Sequence, residues 1–436
     1  MKRPAEPERM DILSLAHDGR GVSRPDGKTV FVAGALPGET VLVVRTRGHR
    51  RYDEADTLEV LTPSPDRVDP ACEHFGTCGG CAMQHLDGTR QLEAKQAHLA
   101  EQFARLGEVE PEHWLPPLRG PAWAYRRRAR LGVKYVTKKG RVLVGFRERA
   151  KPFIADIRHC PVLAEPVGGM IEALAGLVGE LGIRERLPQF EVAAAETATA
   201  LVARVLDPPS AADRALMADF AARHGIEFYL QPGGLDTVEP LDGPATPLEY
   251  TLSDHGVRIR FAPSDFIQVN AAINEQAVGL ALSLLDPQPG DTVLDLFCGL
   301  GNFTLPLARR AARVVGVEGE AGLVERARAN ARLNGITNAE FHVADLAADP
   351  GDAPWAREAC QRVLIDPPRA GAAGVLPQVG RLRPQRLVYV SCHPASLARD
   401  AGVLVNELGF RLQAAGVMDM FPHTAHVESI ALFESG

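Results

Sequence analysis

From about Tyr250 onward the apolar residues of the chain fall into two alternating rhythms. Between Asn274 and Leu285 the residues Ala277, Leu280, Ala281 and Leu284 recur at helical spacing. Thr292–Leu296 then reads as a strand, Thr304–Arg310 as a helix, Val314–Val317 as a strand and Ala321–Leu333 as a helix. Short apolar runs at Glu340–Val343, Val363–Ile365 and Leu387–Val390 continue the strand series. Strands alternating with helices predict a mostly parallel sheet covered on both faces, a Rossmann-like α/β fold.

The first sixty or so residues have another pattern. Val30-Phe31-Val32 and Thr40–Val44 are short strand-like runs, and Asp18-Gly19, Asp26-Gly27 and Pro37-Gly38 supply turns. This spacing predicts a small β-barrel of the OB type, with Arg45, Arg47, Arg50 and Arg51 as a basic edge. Thr62-Pro63-Ser64-Pro65 reads as a linker. A cysteine-rich stretch and a helix over Thr89–Leu106 come next, then mixed α/β sequence over Leu118–Glu249. At 436 residues the chain exceeds one ordinary core. Three domains are expected: 1–65 as the barrel, 66–250 as a central α/β domain and 251–436 as the Rossmann-like domain.

Composition is that of a soluble globular protein, with 45% hydrophobic and 24% charged residues. No apolar run approaches the ~18 residues of a membrane span. The charged N-terminus has no apolar leader core, so a cytoplasmic protein is expected. A net charge of -7 does not advertise a nucleic-acid partner. Local charge does. From Tyr125 to Lys151 eleven Lys or Arg face the single acid Glu148, with Tyr125, Tyr135 and Phe146 interleaved. A salt-bridged surface face is the plainer explanation of a charge run. The shortage of nearby acids favours contact with RNA or DNA.

Candidate chemistry clusters in the C-terminal part. Asp295-Leu296-Phe297-Cys298-Gly299-Leu300-Gly301-Asn302-Phe303 joins the first strand to its helix. Glycines there admit close backbone approach to a ligand. The loop lacks the third glycine of a dinucleotide fingerprint and the lysine of a P-loop. Glu318 ends the second strand, placed to accept ribose hydroxyls, and Asp345 follows the third, placed for an adenine edge. A ribose acid without a phosphate-binding group favours S-adenosyl-L-methionine over NAD or ATP. A Rossmann-like domain with another cofactor is the competing reading. Asp366 follows the fourth strand and Cys392 the fifth, both toward the ligand crevice. A thiolate beside a sulfonium suggests attack on C6 of a pyrimidine, which activates C5 for methylation. Removal of the C5 proton then needs a base. Glu428, in the apolar run His426–Leu432, is the candidate; a surface glutamate on an edge strand is the plainer reading of that residue alone. Cys298 and Cys360 read as structural.

Phe266-Ile267-Gln268-Val269-Asn270, the Asp295–Phe303 loop, Val317-Glu318-Gly319, Asp366-Pro367-Pro368-Arg369, Ser391-Cys392-His393-Pro394 and His426-Val427-Glu428-Ser429 occur in one order. Together they resemble the RNA (uracil-5-)-methyltransferases of the RlmD (RumA) type, over nearly the whole chain. The resemblance implies an N-terminal TRAM domain, Cys392 as nucleophile and Glu428 as base. It also implies Gln268, Phe297, Asn302, Glu318, Asp345 and Asp366 as residues that hold S-adenosylmethionine or orient the uracil. Two positions depart from the pattern: His393 where Asn is common, and Asp345 where some relatives carry Asn.

The other cysteines fit the same family. Cys72-x5-Cys78-x2-Cys81 with a distant Cys160 resembles its iron–sulfur ligand set and implies a [4Fe-4S] cluster. By spacing alone, four thiolates suit a cluster or tetrahedral zinc equally. His74 and His85 are nearby but unneeded ligands. The Cys-x3-Cys-x2-Cys spacing of radical S-adenosylmethionine enzymes is absent. The sequence thus predicts a 23S rRNA uracil C5-methyltransferase that extrudes its target uridine. Its rivals are a tRNA or other-site rRNA enzyme and, more distantly, a non-catalytic RNA-binding protein. Nothing in the sequence demands more than a monomer.

Overall fold

A computed structural model describes residues 6–348, 351 and 353–436. The chain divides into two compact units. Among the described residues no helix is long and apolar enough to cross a membrane.

The first unit comprises the residues through His98 together with Phe146–Ala155 and Phe421–His426. Its six strands are β1 (Glu8–Asp11), β2 (Ser14–Leu15), β3 (Gly21–Ser23), β4 (Thr29–Ala33), β5 (Thr40–Gly48) and β6 (Tyr52–Thr62). They form one sheet in the order β1-β5-β6-β4-β3-β2. Alternation along the strands buries Met10, Ile12, Val30, Val32, Val41, Val43 and Ala55 in one apolar cluster. The buried Glu39 carboxylate accepts from Leu36 N (2.8 Å), Ser64 N (3.2 Å) and Arg67, which ties the Pro63-Ser64-Pro65 stretch to the sheet. Of the expected basic edge, Arg45 is neutralised by Glu8 and Asp53. Arg47, Arg50 and Arg51 are exposed.

The second unit comprises Leu99–Gly145, Asp156–Met420 and Val427–Gly436. The helix α1 (Gly88–Gln102) leads into it, continuing as one π-turn over Phe103–Gly107. A short strand, β7 (His113–Trp114), precedes a sheet made from β8 (Arg128–Val136), β9 (Arg141–Gly145), β10 (Gln189–Ala194), β11 (Thr199–Arg204), β12 (Glu227–Gln231) and β13 (Glu239–Pro240). The helices α2 (Ile171–Glu180) and α3 (Ala211–His224) belong to this part, and α3 opens on a Ser210–Asp213 capping box. A hairpin, β14 (Leu248–Leu252) and β15 (Val257–Phe261), follows.

The remaining elements are α4 (Ala271–Leu285), β16 (Thr292–Leu296), α5 (Thr304–Ala308), β17 (Arg313–Glu318), α6 (Ala321–Leu333), β18 (Ala339–Val343), α7 (Pro354–Arg357), β19 (Arg362–Ile365), α8 (Leu376–Leu382), β20 (Arg386–Ser391), α9 (Pro394–Gly402), β21 (Phe410–Met418) and β22 (Glu428–Ser435). Their strands and β7 form an eight-stranded sheet ordered β18-β17-β16-β19-β20-β22-β21-β7. The five strands β18, β17, β16, β19 and β20 are mutually parallel. β22 runs antiparallel to both β20 and β21. This is the mostly parallel Rossmann-like sheet that the sequence predicts.

Two expectations shift. The buried face of α4 is Ile273, Asn274, Ala277, Val278, Ala281, Leu282 and Leu285, leaving Leu280 and Leu284 half-buried. The true buried arc keeps Ala277 and Ala281 of the expected stripe, is wider than it, and includes a polar residue. The basic strip is also better paired than its local sequence suggests. Glu191 takes Arg128 and Arg130, and Asp156 takes Lys139 and Arg141. Asp56 takes Arg149, and Glu148 takes Lys151. Three of these four acids lie outside the strip, where a local count does not see them.

One buried carboxylate holds the sheet's functional end together. Asp400 of α9 accepts from Tyr389 OH (2.7 Å), from Ala372 N (2.7 Å) and from Arg399. A Cβ at Gly371 would come within 2.6 Å of that carboxylate and 2.4 Å of the Arg399 guanidinium, so only glycine fits there. Asp400→Ala leaves the Tyr389 hydroxyl and an amide without acceptors in a dry interior. A loss of roughly 2–5 kcal/mol is expected, read as a lower urea midpoint; an unchanged midpoint would count against this account.

Candidate active site

Because parallel strands end at one edge of a sheet, the residues at and just past their ends form a row. Along β18, β17, β16, β19 and β20 this row is Asp345, Glu318, Phe297, Asp366 and Cys392. The antiparallel β22 starts at the same edge, and its first residue, Glu428, is the next member. The β20–β22 ladder pairs Arg386 with Glu434 through Ser391 with Ser429. One step further along that register sets Cys392 opposite Glu428. Opposed positions share a face with Cβ atoms about 5 Å apart. β22 lies inside the sheet, so Glu428 is 3% exposed and is not the surface glutamate of an edge strand.

The nucleotide-type half of the row is built from backbone. Phe297 has φ +64°, a left-handed conformation that costs a non-glycine residue about 1–2 kcal/mol. Its N–H and that of Cys298 both donate to Val317 O, at 2.8 and 3.1 Å. Gly299 has φ +53° and open space where a Cβ would stand. Glu318 reaches across the loop and accepts from Gly299 N (3.1 Å), Gly319 N (2.7 Å) and Glu320 N (3.1 Å). These bonds fix the carboxylate and leave lone pairs for ligand hydroxyls. Asp345 is exposed, and its Oδ1 accepts from Ala347 N at 2.9 Å.

Asn302 is held by a reciprocal amide pair with Asn274, at 2.9 and 3.0 Å, and its Oδ1 also accepts from Tyr250 OH at 3.0 Å. Gln268 is half-buried in the loop before α4, and its carbonyl accepts from Arg127 Nε at 2.8 Å. The structure therefore adds three residues to this region that sequence reasoning missed: Arg127, Tyr250 and Asn274. Asn274 carried a readable signal, an amide on the helix face otherwise made of apolar residues.

The electrostatics of the row are those of crowded, dry carboxylates. Burial, with the charge of Glu318, raises Asp366 to about 7. Burial also raises Asp295 to about 7, against the opposing bond from Thr304. Glu428 is raised well above the usual carboxylate range by burial and then by Asp366. Cys392 is pushed up to about 11, first by burial and then by Glu428 and Asp366, with Arg369 opposing. Cys298 and Cys360 are buried thiols, also raised by burial, and neither is a nucleophile candidate. His393 caps α9, its Nδ1 accepting from Ser396 N at 3.3 Å, and its own N–H donates to Ser391 Oγ at 3.1 Å. An asparagine would serve that cap in the same way.

The metal-ligand candidates fall in both units. Cys72, Cys78 and Cys81 are half-buried in the first, where Gly80 N–H donates to Cys78 Sγ at 3.4 Å. Cys160 is half-buried in the second, its N–H donating to Gly168 O at 2.9 Å. Among the described residues no cysteine forms a disulfide. In the first unit His85 is buried against Phe75, and burial lowers its ring to about 4, so it is neutral at pH 7.

Residues 247–350 and 352–435 match the tRNA (Uracil-5-)-methyltransferase family. A protein of Stenotrophomonas maltophilia (strain K279a) named 23S rRNA (uracil(1939)-C(5))-methyltransferase RlmD is 53% identical over 98% of this chain and 97% of its own. One of the same name from Alkalilimnicola ehrlichii is 54% identical over 99% and 97%. Among solved structures, Pyrococcus abyssi tRNA (uracil-54, C5)-methyltransferase in complex with S-adenosyl-L-homocysteine aligns over 98% of this chain and 100% of that one. Its TM-score is 0.74 at 25% identity. With that identity sustained over essentially the full chain, the protein belongs to the RlmD family of RNA (uracil-C5)-methyltransferases.

Proposed function

We propose that this enzyme transfers the methyl group of S-adenosyl-L-methionine to C5 of a uridine in 23S rRNA through a transient Cys392–C6 bond. The observation that supports the chemistry is the β20–β22 ladder, which ends at Ser391 and Ser429 with Cys392 and Glu428 next along it, close enough for the charge of Glu428 to act on the thiol. The 23S substrate is supported by the full-length relatives at 53–54% identity, against 25% for the tRNA enzyme.

The residues present fit the cofactor. Open space at Gly299 and the fixed Glu318 carboxylate suit an adenosine, with Phe297, Asn302, Asp345 and Gln268 around it. When bound, S-adenosylmethionine would supply an electrophilic methyl group on a positive sulfonium, the S–CH3 bond breaking to leave neutral S-adenosylhomocysteine. Cys392 gives its proton to water as its sulfur bonds to C6, moving the ring's electron pair toward C5 and O4. Asp366 is placed to hold the polar edge of the uracil. Once C5 carries the methyl group, Glu428 takes the C5 proton, the S–C6 bond breaks, and the thiolate leaves. A carboxylate with a raised pKa is the stronger base once ionised. The N-terminal sheet, which we assign as a TRAM domain, presents Arg47, Arg50 and Arg51 to RNA. We further assign Cys72, Cys78, Cys81 and Cys160 to a [4Fe-4S] cluster. It would serve structure and RNA recognition, since methyl transfer consumes no electrons.

Incubation of 23S rRNA lacking the modification with labelled cofactor should place label on one uridine. Cys392→Ala should abolish labelling while RNA affinity holds. Glu428→Gln should slow turnover by roughly 100-fold or more and accumulate a denaturation-resistant protein–RNA adduct. Labelling by the Cys392→Ala enzyme would sink the covalent route; label in tRNA alone would move the substrate.

The same pair predicts a pH effect on the free enzyme. Alkylation of Cys392, followed by peptide mass, should rise with pH toward a midpoint near about 11. Glu428→Gln removes a negative neighbour, so the midpoint should move down; no movement means the two groups do not face each other. For the cluster, Cys160→Ser should lower the iron bound per chain, and unchanged iron would remove Cys160 from the ligand set.

A further inference from the structure

Arg127 is the one member of its run that is both buried and without an acid. Its neighbour Arg128 is half-buried and reaches Glu191 at 3.4 Å. Arg127 is 6% exposed and is locked from its backbone outward. Its N–H donates to Val269 O at 3.0 Å, and its carbonyl accepts from Ala194 N at 2.8 Å. Its Nε donates to Gln268 O at 2.8 Å, and the guanidinium stacks 4.5 Å from the centre of the Tyr250 ring. Nη2 is buried with no partner among the described residues. Burial lowers the affinity of the group for its proton, and the carboxylate that opposes this, Glu196, acts through space without a hydrogen bond. A guanidinium stays charged in proteins, so this is a fixed, desolvated cation with donors to spare.

Its position indicates the anion it awaits. Through Gln268 it touches the loop before α4, and through Tyr250, whose hydroxyl donates to Asn302, it is joined to the glycine loop. The sheet edge carries Asp295, Glu318, Asp366 and Glu428, whose burial and mutual charge already hold Asp295, Asp366 and Glu428 back from ionising. Such a row suits the sulfonium and ammonium of a methionyl group and is a poor place to add its carboxylate. That carboxylate therefore needs a cation away from the acidic row, with a forked donor to match its two oxygens.

We propose that Arg127 is the receptor for the methionyl carboxylate of S-adenosylmethionine. This rests on the cofactor assigned above. It also explains why a sequence rich in exposed arginines places this one in the interior: it serves the cofactor rather than the RNA backbone.

The test is a cycle between protein and ligand, read by calorimetric binding to the full-length, iron-loaded protein without RNA. S-adenosylmethionine and its decarboxylated form differ only in the group in question. The wild-type protein should prefer the carboxylated ligand by roughly tenfold or more. Arg127→Met should lose that preference while binding the decarboxylated ligand as the wild type does, which also shows that the variant is folded. Arg127→Lys, which keeps charge but not the fork, should retain part of the preference and serves if the Met variant does not accumulate. A full preference in Arg127→Met, or an equal loss for both ligands, overturns the proposal. So does unchanged cofactor binding with weakened RNA binding, which would make Arg127 a phosphate contact. Binding of neither ligand by the wild type would instead overturn the cofactor assignment itself.

Discussion

Five strands that run the same way must end at the same edge, and every functional position of the methyltransferase sheet follows from that constraint. Each strand brings its last residue, or one just past it, to the crevice: Asp345, Glu318, Phe297, Asp366, Cys392. The parallel series alone brings a thiol to that edge. Glu428 joins it because β22 enters in the opposite direction between β20 and β21, so that its first residue, not its last, stands there. Hydrogen-bond register brings Cys392 and Glu428 to the same edge. Asp400, bonded to Tyr389 three residues before Cys392, keeps α9 and the loop after Asp366 fixed to the same strand.

The dryness that makes the sheet stable also sets its chemistry. Asp295, Asp366 and Glu428 have little water to hold their charge, and they lie in one another's field or that of Glu318, so these three resist ionising. The thiol among them is likewise held protonated in the free enzyme. Reactivity must then be supplied by what binds: a positive ligand changes the field for every member of the row at once. A resting thiol of this kind is protected from adventitious alkylation and oxidation.

How much of this was legible in the sequence depended on range. β16 occupies Thr292–Leu296 and α6 occupies Ala321–Leu333, as their patterns indicate, because a strand or helix is written in its own residues. The row at the sheet edge was legible for the same reason, since parallel topology follows from alternation. Pairing across the chain was not. The burial of Glu428 depends on β21 lying outside β22, and the neutralisation of Arg130 and Arg141 depends on Glu191 and Asp156, far off in sequence. Arg127 looked like one more basic residue in a strip; only its packing under Tyr250 and Gln268 separates it from its neighbours.

The row of acids has a consequence for what the crevice admits. A phosphodiester brought to this edge adds charge to a dry place where burial and neighbouring charge already keep Asp366 and Glu428 from ionising, in a medium that screens poorly. An uncharged pyrimidine ring meets no such barrier and gains hydrogen bonds with polar groups already in place. The edge thereby sorts a nucleotide into its parts, accepting the base and refusing the backbone. For a polyanionic substrate, such an edge favours an uncharged ring presented ahead of its backbone.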